Sequence, residues 1–437
     1  MSLAAVVLAD APGADARVVG LRLAERARRV AVRAGATRVL VARARGDIAA
    51  FWADAGCDQL LVIRATDQVV HTPLVTPLAG ATLPAVAVAA AEAMATDLSP
   101  GSYAGAFLVA GRDADAVIAE LAAGADDRAL GARLLADGAT ACPHARIARH
   151  PATTPAERRG AARLLYEIIH KHQDTAITRY LFRPVSIFLT KFVVETPITP
   201  NQVSMVTAVL VVIGCWLTAR GPIDSAIAGS VVMLVASYVD CIDGEIARLK
   251  LLSSKFGAWL DTVVDELSQI GYLVAVGIHC RAYFGVDYFG HLGFDPWWWA
   301  IGVGVATYAI SIYCVYWNII VLVGSANSQD YVGRFEIAPG AAPGTAALRP
   351  AATTAIAFGP DTHPVIRFLA TYAPYMVRKD FITWCAVALA VAHLTQIAFG
   401  MLVVGGVLAV AVVGRDHLRA RGQLAEVRRR QLVLVQR

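Results

Sequence analysis

The chain has 437 residues, 57% of them hydrophobic and 17% charged, with a mean hydropathy of +0.55. That balance excludes an ordinary soluble enzyme along the whole length and leaves room for more than one domain. The net charge of +5 is too modest for a nucleic-acid binder, and much of it sits in Arg415, Arg419, Arg421, Arg428, Arg429, Arg430 and Arg437. The seven cysteines show no metal-ligand spacing and read as free thiols in a reducing compartment. The N-terminus lacks a basic segment ahead of its short apolar run, so no cleavable signal peptide is expected.

In chain order, residues 1–150 read as an α/β domain of Rossmann-like type. Short apolar runs at Ala4–Ala9, Arg38–Ala42, Gln59–Ile63 and Ala106–Ala110 predict buried parallel strands. They alternate with predicted helices at Val19–Gly35 and Pro84–Ala95. Residues 124–160 read as a joining region. Residues 151–196 are expected to form a linker and an interfacial amphipathic helix. Lys171, Arg179, Arg183 and Lys191 stand there among Leu181, Phe182, Ile187, Phe188 and Phe192.

Residues 197–437 read as a membrane domain opened by Thr199-Pro200-Asn201. Six apolar spans are predicted, at Val203–Ala219, Ala226–Asp240, Leu260–Cys280, Trp297–Val323, Phe381–Phe399 and Met401–Val413. One set of loops holds Arg248, Lys250, Lys255, Arg334, Arg367, Arg378, Lys379 and the arginine-rich tail; the other holds little beyond Arg220 and Arg281. The positive-inside rule therefore predicts both termini in the cytoplasm. It also puts the cytoplasmic side at the end of spans two and three that carries four aspartates.

Those aspartates are the densest chemical signal. Asp240 and Asp243 are three residues apart, Asp261 and Asp265 four, so each pair shares a helix face. Charges in a membrane-grade context are costly and mark function. Carboxylates without Cys or His partners suit Mg²⁺, Mn²⁺ or Ca²⁺, and four close together call for compensating cations. Gly244, Ala247 and Gly257 leave room for a ligand, and Arg248 offers a fork suited to phosphate. Together they describe a pyrophosphate or nucleotide site. A divalent-cation transporter would explain the acids but not Gly244, Ala247, Arg248 and Gly257.

The eight positions Asp240, Asp243, Gly244, Ala247, Arg248, Gly257, Asp261 and Asp265 match D-x2-D-G-x2-A-R-x8-G-x3-D-x3-D without a gap. In this the chain resembles the CDP-alcohol phosphotransferase family over about residues 165–437. The resemblance implies a membrane enzyme, commonly a homodimer. Such an enzyme passes a phospho-substituent from a CDP-alcohol to an acceptor alcohol in the lipid bilayer and releases CMP. It implies that Asp240, Asp243, Asp261 and Asp265 hold two divalent ions, Mg²⁺ or Mn²⁺, and that Asp265 is also the general base. Gly244, Ala247, Arg248 and Gly257 would line the CDP site with Asn201 and Ser204 nearby; the family often has Thr where Ser204 stands. Arg378-Lys379-Asp380-Phe381 resembles the opening of the fifth span in the inositol-phosphate branch. Arg334, Arg378 and Lys379 are accordingly expected to meet an acidic or phosphorylated acceptor such as inositol phosphate; glycerol phosphate or serine are other acceptors for the same chemistry.

Residues 1–110 resemble a nucleotidyltransferase of the sugar-nucleotide type, the partner fused ahead of this membrane domain in di-inositol-phosphate enzymes. The phosphate loop departs from that pattern. It reads Ala9-Asp10-Ala11-Pro12-Gly13-Ala14-Asp15-Ala16-Arg17, with two acids where phosphates belong and a proline that removes an amide. Asp67 is a candidate metal-binding acid. The expectation is a degenerate domain serving as scaffold, regulator or dimer contact, with a lipid donor such as CDP-diacylglycerol made elsewhere. The whole chain is expected in a bacterial or archaeal inner membrane.

Overall fold

The computed structural model describes residues 2–170, 174–324, 331–333, 335–339, 345–350 and 378–434. The chain forms two compact units. The first comprises Met1–Gln173, Ile187–Thr199 and Gly244–Leu252, and the second Asp174–Ser186, Pro200–Asp243 and Ser253–Arg437.

The first unit is built on a six-stranded sheet. Its strands are β1 (Leu3–Leu8), β2 (Arg38–Ala42), β3 (Gln59–Arg64), β4 (Ala85–Val88), β5 (Tyr103–Ala110) and β6 (Thr140–Pro143), in the order β2-β1-β3-β5-β4-β6. β1 runs parallel to β2 and β3, joined through helices α1 (Leu23–Arg33) and α2 (Asp47–Ala55), the connection that parallel pairing requires. The expected parallel strand at Ala106–Ala110 is antiparallel to β3 instead. The predicted helix over Pro84–Ala95 is also absent, because Ala85–Val88 is strand β4, paired antiparallel to β5. A buried apolar run this short has no period that separates strand from helix, and with a strand there the return into β5 reverses direction.

The stretch 124–160 is not a mere connector. It forms helix α3's successor α4 (Asp127–Ala136, after α3 at Arg112–Ala122), strand β6 and the start of α5 (Pro155–Glu167). Asp126 caps α4 by accepting from the Arg128 amide, and Thr154 with Glu157 forms a full capping box on α5. Two layers of buried side chains close on the sheet, one around Val7, Ile63, Leu74 and Leu108, the other around Val6, Val62, Phe107 and Leu121. Residues Ile187–Thr199 and Gly244–Leu252 join this unit through Val194 and Leu249, buried in one cluster with Leu23 and Leu164, and through hydrogen bonds. Thr190 Oγ1 donates to the fully buried Glu245 at 2.7 Å, Lys250 Nζ donates to the Thr196 carbonyl at 2.6 Å, and the Gly20 amide donates to Glu195 at 3.0 Å.

The second unit is helical. It contains the start of α6 (Arg183–Val193), α7 (Pro200–Ala219), α8 (Ile223–Leu249) up to Asp243, α9 (Lys255–Phe284), α10 (Pro296–Asn318, continued by a π-helical turn to Val323), α11 (Lys379–Val391) and α12 (Thr395–Arg429). Among the described residues four helices are long and apolar enough to cross a membrane: Pro200–Ala219, Ile223–Leu249, Pro296–Val323 and Thr395–Arg429. α9 matches the third predicted span but carries Asp261, Asp265 and Glu266, and α11 has only 13 residues.

The break between the last two helices falls at Ala392–Leu394, not at Phe399–Met401 as the sequence predicts. His393 takes a left-handed φ of 61°, and the Leu394 amide closes on the Leu389 carbonyl at 2.7 Å. His393, Thr395 and Gln396 are the polar residues at this turn, and apolar residues resume on both sides, so composition marks it only weakly. Where lipid offers no hydrophobic drive between helices, small residues set the packing. A Cβ on Gly229 would lie 2.7 Å from the Gly214 carbonyl, and one on Gly406 would lie 2.9 Å from Thr307 Oγ1. The core centres on Met233, Tyr272, Val276, Trp297, Ile301 and Phe399.

Candidate active site

Helical spacing delivers the aspartates as pairs, and the second unit brings three of them together. Oxygens of Asp240, from α8, and of Asp261 and Asp265, from α9, lie within 4.8 Å of one another. Asp243, one turn on from Asp240 and only 5% exposed, accepts a 2.5 Å hydrogen bond from Ser204 Oγ on α7. At an effective dielectric of 20, two unit charges 4.8 Å apart repel by about 3.5 kcal/mol, so the triad needs positive charge.

Lys379 supplies it. The first residue of α11 sets its Nζ against Asp240 at 3.3 Å and against Asp265 at still closer range. The ammonium stands where a bound cation would compensate the same oxygens. The donor set fits a divalent ion, since oxygens on opposite sides of an ion coordinated at about 2.1–2.5 Å are separated by at most about 4–5 Å. The sequence marks Lys379 as a cation at the right end of the bundle; its contact with acids more than a hundred residues away has no local signal.

The nucleotide-lining candidates divide between the units. In the second unit, Asn201 opens α7 and approaches the first turn of α9 closely: a Cβ on Gly257 would lie 3.1 Å from Asn201 Oδ1 and from Ser254 Oγ. Ser254 caps α9 by accepting from the Gly257 amide at 3.0 Å. Gly244, Ala247 and Arg248 lie on the last turns of α8, in the first unit. There a Cβ on Gly244 would sit 3.4 Å from Arg248 Nη1, an ordinary contact.

Of the acceptor candidates, Arg334 lies outside the described residues. Arg378 is exposed and sits 3.6 Å from Asp380. Asp380 also accepts from Thr175 at 3.1 Å and from Thr178. Neither threonine stands out in the sequence. Glu266, beside Asp265, accepts from Tyr308 at 2.9 Å and adds a further carboxylate that the signature does not name.

In the first unit the loop after β1 is a single 3-10 turn, Pro12–Asp15. Its Ala14 and Ala16 amides donate to Ala11 and Gly13 carbonyls, both at 3.0 Å, instead of pointing at a phosphate. Asp15 receives both Arg43 guanidinium nitrogens at 2.8 and 2.9 Å, which holds its carboxyl below the usual carboxylate range. Asp10 is paired with Arg45 at 2.5 Å, and Asp67 with Arg128 at 2.6 Å. Gly13 is required by space, because a Cβ there would lie 2.2 Å from the Thr66 carbonyl oxygen.

Residues 197–392 match the family model described as CDP-alcohol phosphatidyltransferase. The chain is similar to a "Bifunctional IPC transferase and DIPP synthase" of Aquifex aeolicus, 32% identical over 108 residues, covering 25% of this chain and 24% of that protein. The protein of the same name in Thermococcus kodakarensis is 35% identical over 121 residues, 28% of this chain and 27% of that one. An "Archaetidylinositol phosphate synthase" of Pyrococcus horikoshii is 27% identical over 81 residues, 18% of this chain and 42% of that protein. The chain thus spans about a quarter of the length of the bifunctional relatives it matches.

Proposed function

We propose, from the CDP-alcohol phosphatidyltransferase domain at residues 197–392, that this protein is a membrane transferase that moves a phospho-alcohol group from a CDP-alcohol to an acceptor alcohol and releases CMP. The observation that carries the reading is the convergence of Asp240, Asp261 and Asp265 within 4.8 Å inside that domain. Two bound divalent ions, Mg²⁺ or Mn²⁺, would neutralise the pyrophosphate and the departing CMP. Asp240, Asp243, Asp261 and Asp265 are their ligands on this reading, and Ser204 fixes the orientation of Asp243. Asp265 accepts the proton of the acceptor hydroxyl as the new ester forms. Asn201 and Gly257 border the cytidine diphosphate, with Gly244, Ala247 and Arg248 on the donor side.

Relatives named for IPC, DIPP and archaetidylinositol phosphate synthesis favour an inositol phosphate or related polyol phosphate as acceptor. Arg378 would face its phosphate. Six spans with both termini and the aspartates in the cytoplasm suit a donor and acceptor supplied there, in a homodimer. The first unit, with the acids of its loop already paired to arginines, is read as a degenerate nucleotidyltransferase fold, so that the donor comes from another enzyme.

The test is incubation of purified protein with CDP-diacylglycerol or CDP-inositol and candidate acceptors, with CMP release measured and the product identified by mass. Metal-dependent CMP release supports the reading. No CMP from any CDP-alcohol, together with divalent-cation flux in liposomes, would replace it with a transporter. Asp265→Asn is expected to abolish turnover while CDP binding persists; equal loss of both would remove Asp265 as the base.

A further inference from the structure

α12 is too long for its task as a span. Its 35 residues extend about 52 Å at 1.5 Å per residue, against a hydrocarbon core of about 30 Å. Counting about 20 residues from Thr395 brings the helix to Gly414, immediately before Arg415 begins the charged stretch. The remaining turns therefore stand in the headgroup layer and beyond. They do so at the same end of the bundle as the aspartates, because α9, α10, α11 and α12 follow one another across it in alternating directions.

At that end α10 and α12 line an open cavity of about 770 Å³. Its walls include Tyr313, Trp317 and Val321 from α10 and its extension, and Arg421, Arg428 and Arg429 from α12. The two sets divide by chemistry. Tyr313 is 60% and Val321 38% exposed, an apolar and aromatic wall at interfacial depth. The three arginines form no ion pair with a carboxylate among the described residues, whereas Arg430, one position on, pairs with Glu426 at 2.8 Å. Trp317 is fixed from behind. Its ring meets buried His417 edge-on at 4.5 Å, and it packs on the Leu322–Phe335–Ala420 cluster. His417 Nδ1 is buried without a hydrogen-bond partner among the described residues.

We infer that this cavity binds the headgroup of an anionic phospholipid, its phosphate on Arg421, Arg428 and Arg429 and its acyl stem along Tyr313, Trp317 and Val321. An arginine cluster without a carboxylate partner among the described residues, beside an aromatic wall and just past the point where the helix leaves the hydrocarbon, matches an amphipathic ligand with charge at one end. A free phosphate ester would use the arginines and leave the wall idle. The inference does not depend on the transfer reaction.

The test uses the full chain in detergent, incubated with dioleoylphosphatidylglycerol, dioleoylphosphatidylcholine or inorganic phosphate, with retained ligand counted by native mass spectrometry. Phosphatidylglycerol should be retained in preference to phosphatidylcholine. Each arginine near an anionic surface is worth about fivefold, so the triple variant Arg421→Gln/Arg428→Gln/Arg429→Gln should lose at least about tenfold. Arg419→Gln, on the same helix but outside the cavity wall, should lose nothing and reports on general charge. Equal retention of the two lipids, equal loss in both variants, or no loss in the triple variant would overturn the lipid site. Displacement of the lipid by millimolar inorganic phosphate alone would reassign the cavity to a soluble phosphate ester.

Discussion

Replacing Lys379 by methionine removes the cation that, among the described residues, pairs with Asp240 and Asp265, while keeping the bulk of its stem. Three like charges within 4.8 Å repel pairwise by about 3.5 kcal/mol each at an effective dielectric of 20, about 10 kcal/mol in all. Two attractions at about 3.3 Å, near 5 kcal/mol each on the same scale, offset that repulsion. Without the lysine the strain is relieved most cheaply by protonating one carboxylate. From an ordinary pKa near 4 this costs about 4 kcal/mol at pH 7, and one repulsion of about 3.5 kcal/mol remains, so the penalty is at most about 7 kcal/mol. Within that bound, Lys379→Met is expected to destabilise the metal-free protein by about 3–5 kcal/mol at pH 7, the usual cost of removing one partner of a buried pair. The penalty should shrink toward pH 5, where protonation is easier, and should largely vanish in millimolar Mg²⁺ or Mn²⁺, which take over the compensation. Thermal unfolding in detergent, with EDTA or with divalent ion, measures all three. The same destabilisation with and without metal would refute the view that lysine and ion answer one electrostatic demand.

Two further outcomes follow from single contacts. Ser204→Ala removes the 2.5 Å hydrogen bond to Asp243, a charge-assisted bond worth about 1.5–3 kcal/mol. CMP release should fall about tenfold or more while the fold persists, and Ser204→Thr should restore it; equal loss in both variants would show that the hydroxyl is not what matters. In the first unit, burial, with Arg26 and Arg33 nearby, holds His71 down at about 4. The unfolded chain then binds the extra proton between about pH 6.5 and 4, so stability is complete above 6.5 and falls as pH drops through that window. The full loss is about 3 kcal/mol. Hydrogen exchange of β1 and β3 amides in the full chain should show it, and His71→Asn should flatten the slope; an unchanged slope would remove His71 as its source.

The legible part of this protein is the part written in short-range spacing. Asp240 with Asp243 and Asp261 with Asp265 are set by helix geometry alone, and the paired faces anticipate the carboxylate cluster. The parallel core of β1, β2 and β3 is equally local, since each strand is an apolar run and a helix joins each to the next. The direction of β5 is not, because it depends on which partner the strand meets after Ala85–Val88 has folded as a strand. The hydrogen bond that Asp243 accepts from Ser204 is a contact across 39 positions and has no local signal. The turn at His393 is marked only by His393, Thr395 and Gln396, too few polar residues to end an apolar run that resumes at Ile397. The pairing of Asp10 with Arg45 and Asp15 with Arg43 joins the same class: the acids are visible, while their partners come from the far side of a strand and a helix.

The shortness of α11 changes how it is held in place. A span of about 20 apolar residues finds its depth in a bilayer by matching the hydrocarbon thickness, and slides only against that mismatch. Thirteen residues exert little such restoring force. What fixes α11 along its axis is the polar residues of its first turn. Lys379 is gripped by two aspartates, and Asp380, the next residue, by Thr175 and Thr178 on a different segment. A shift of one residue would break both grips at once. The position of the ammonium at the acidic cluster is therefore set by protein contacts and should be insensitive to membrane thickness, so that the same chain can work unchanged in bilayers of different composition.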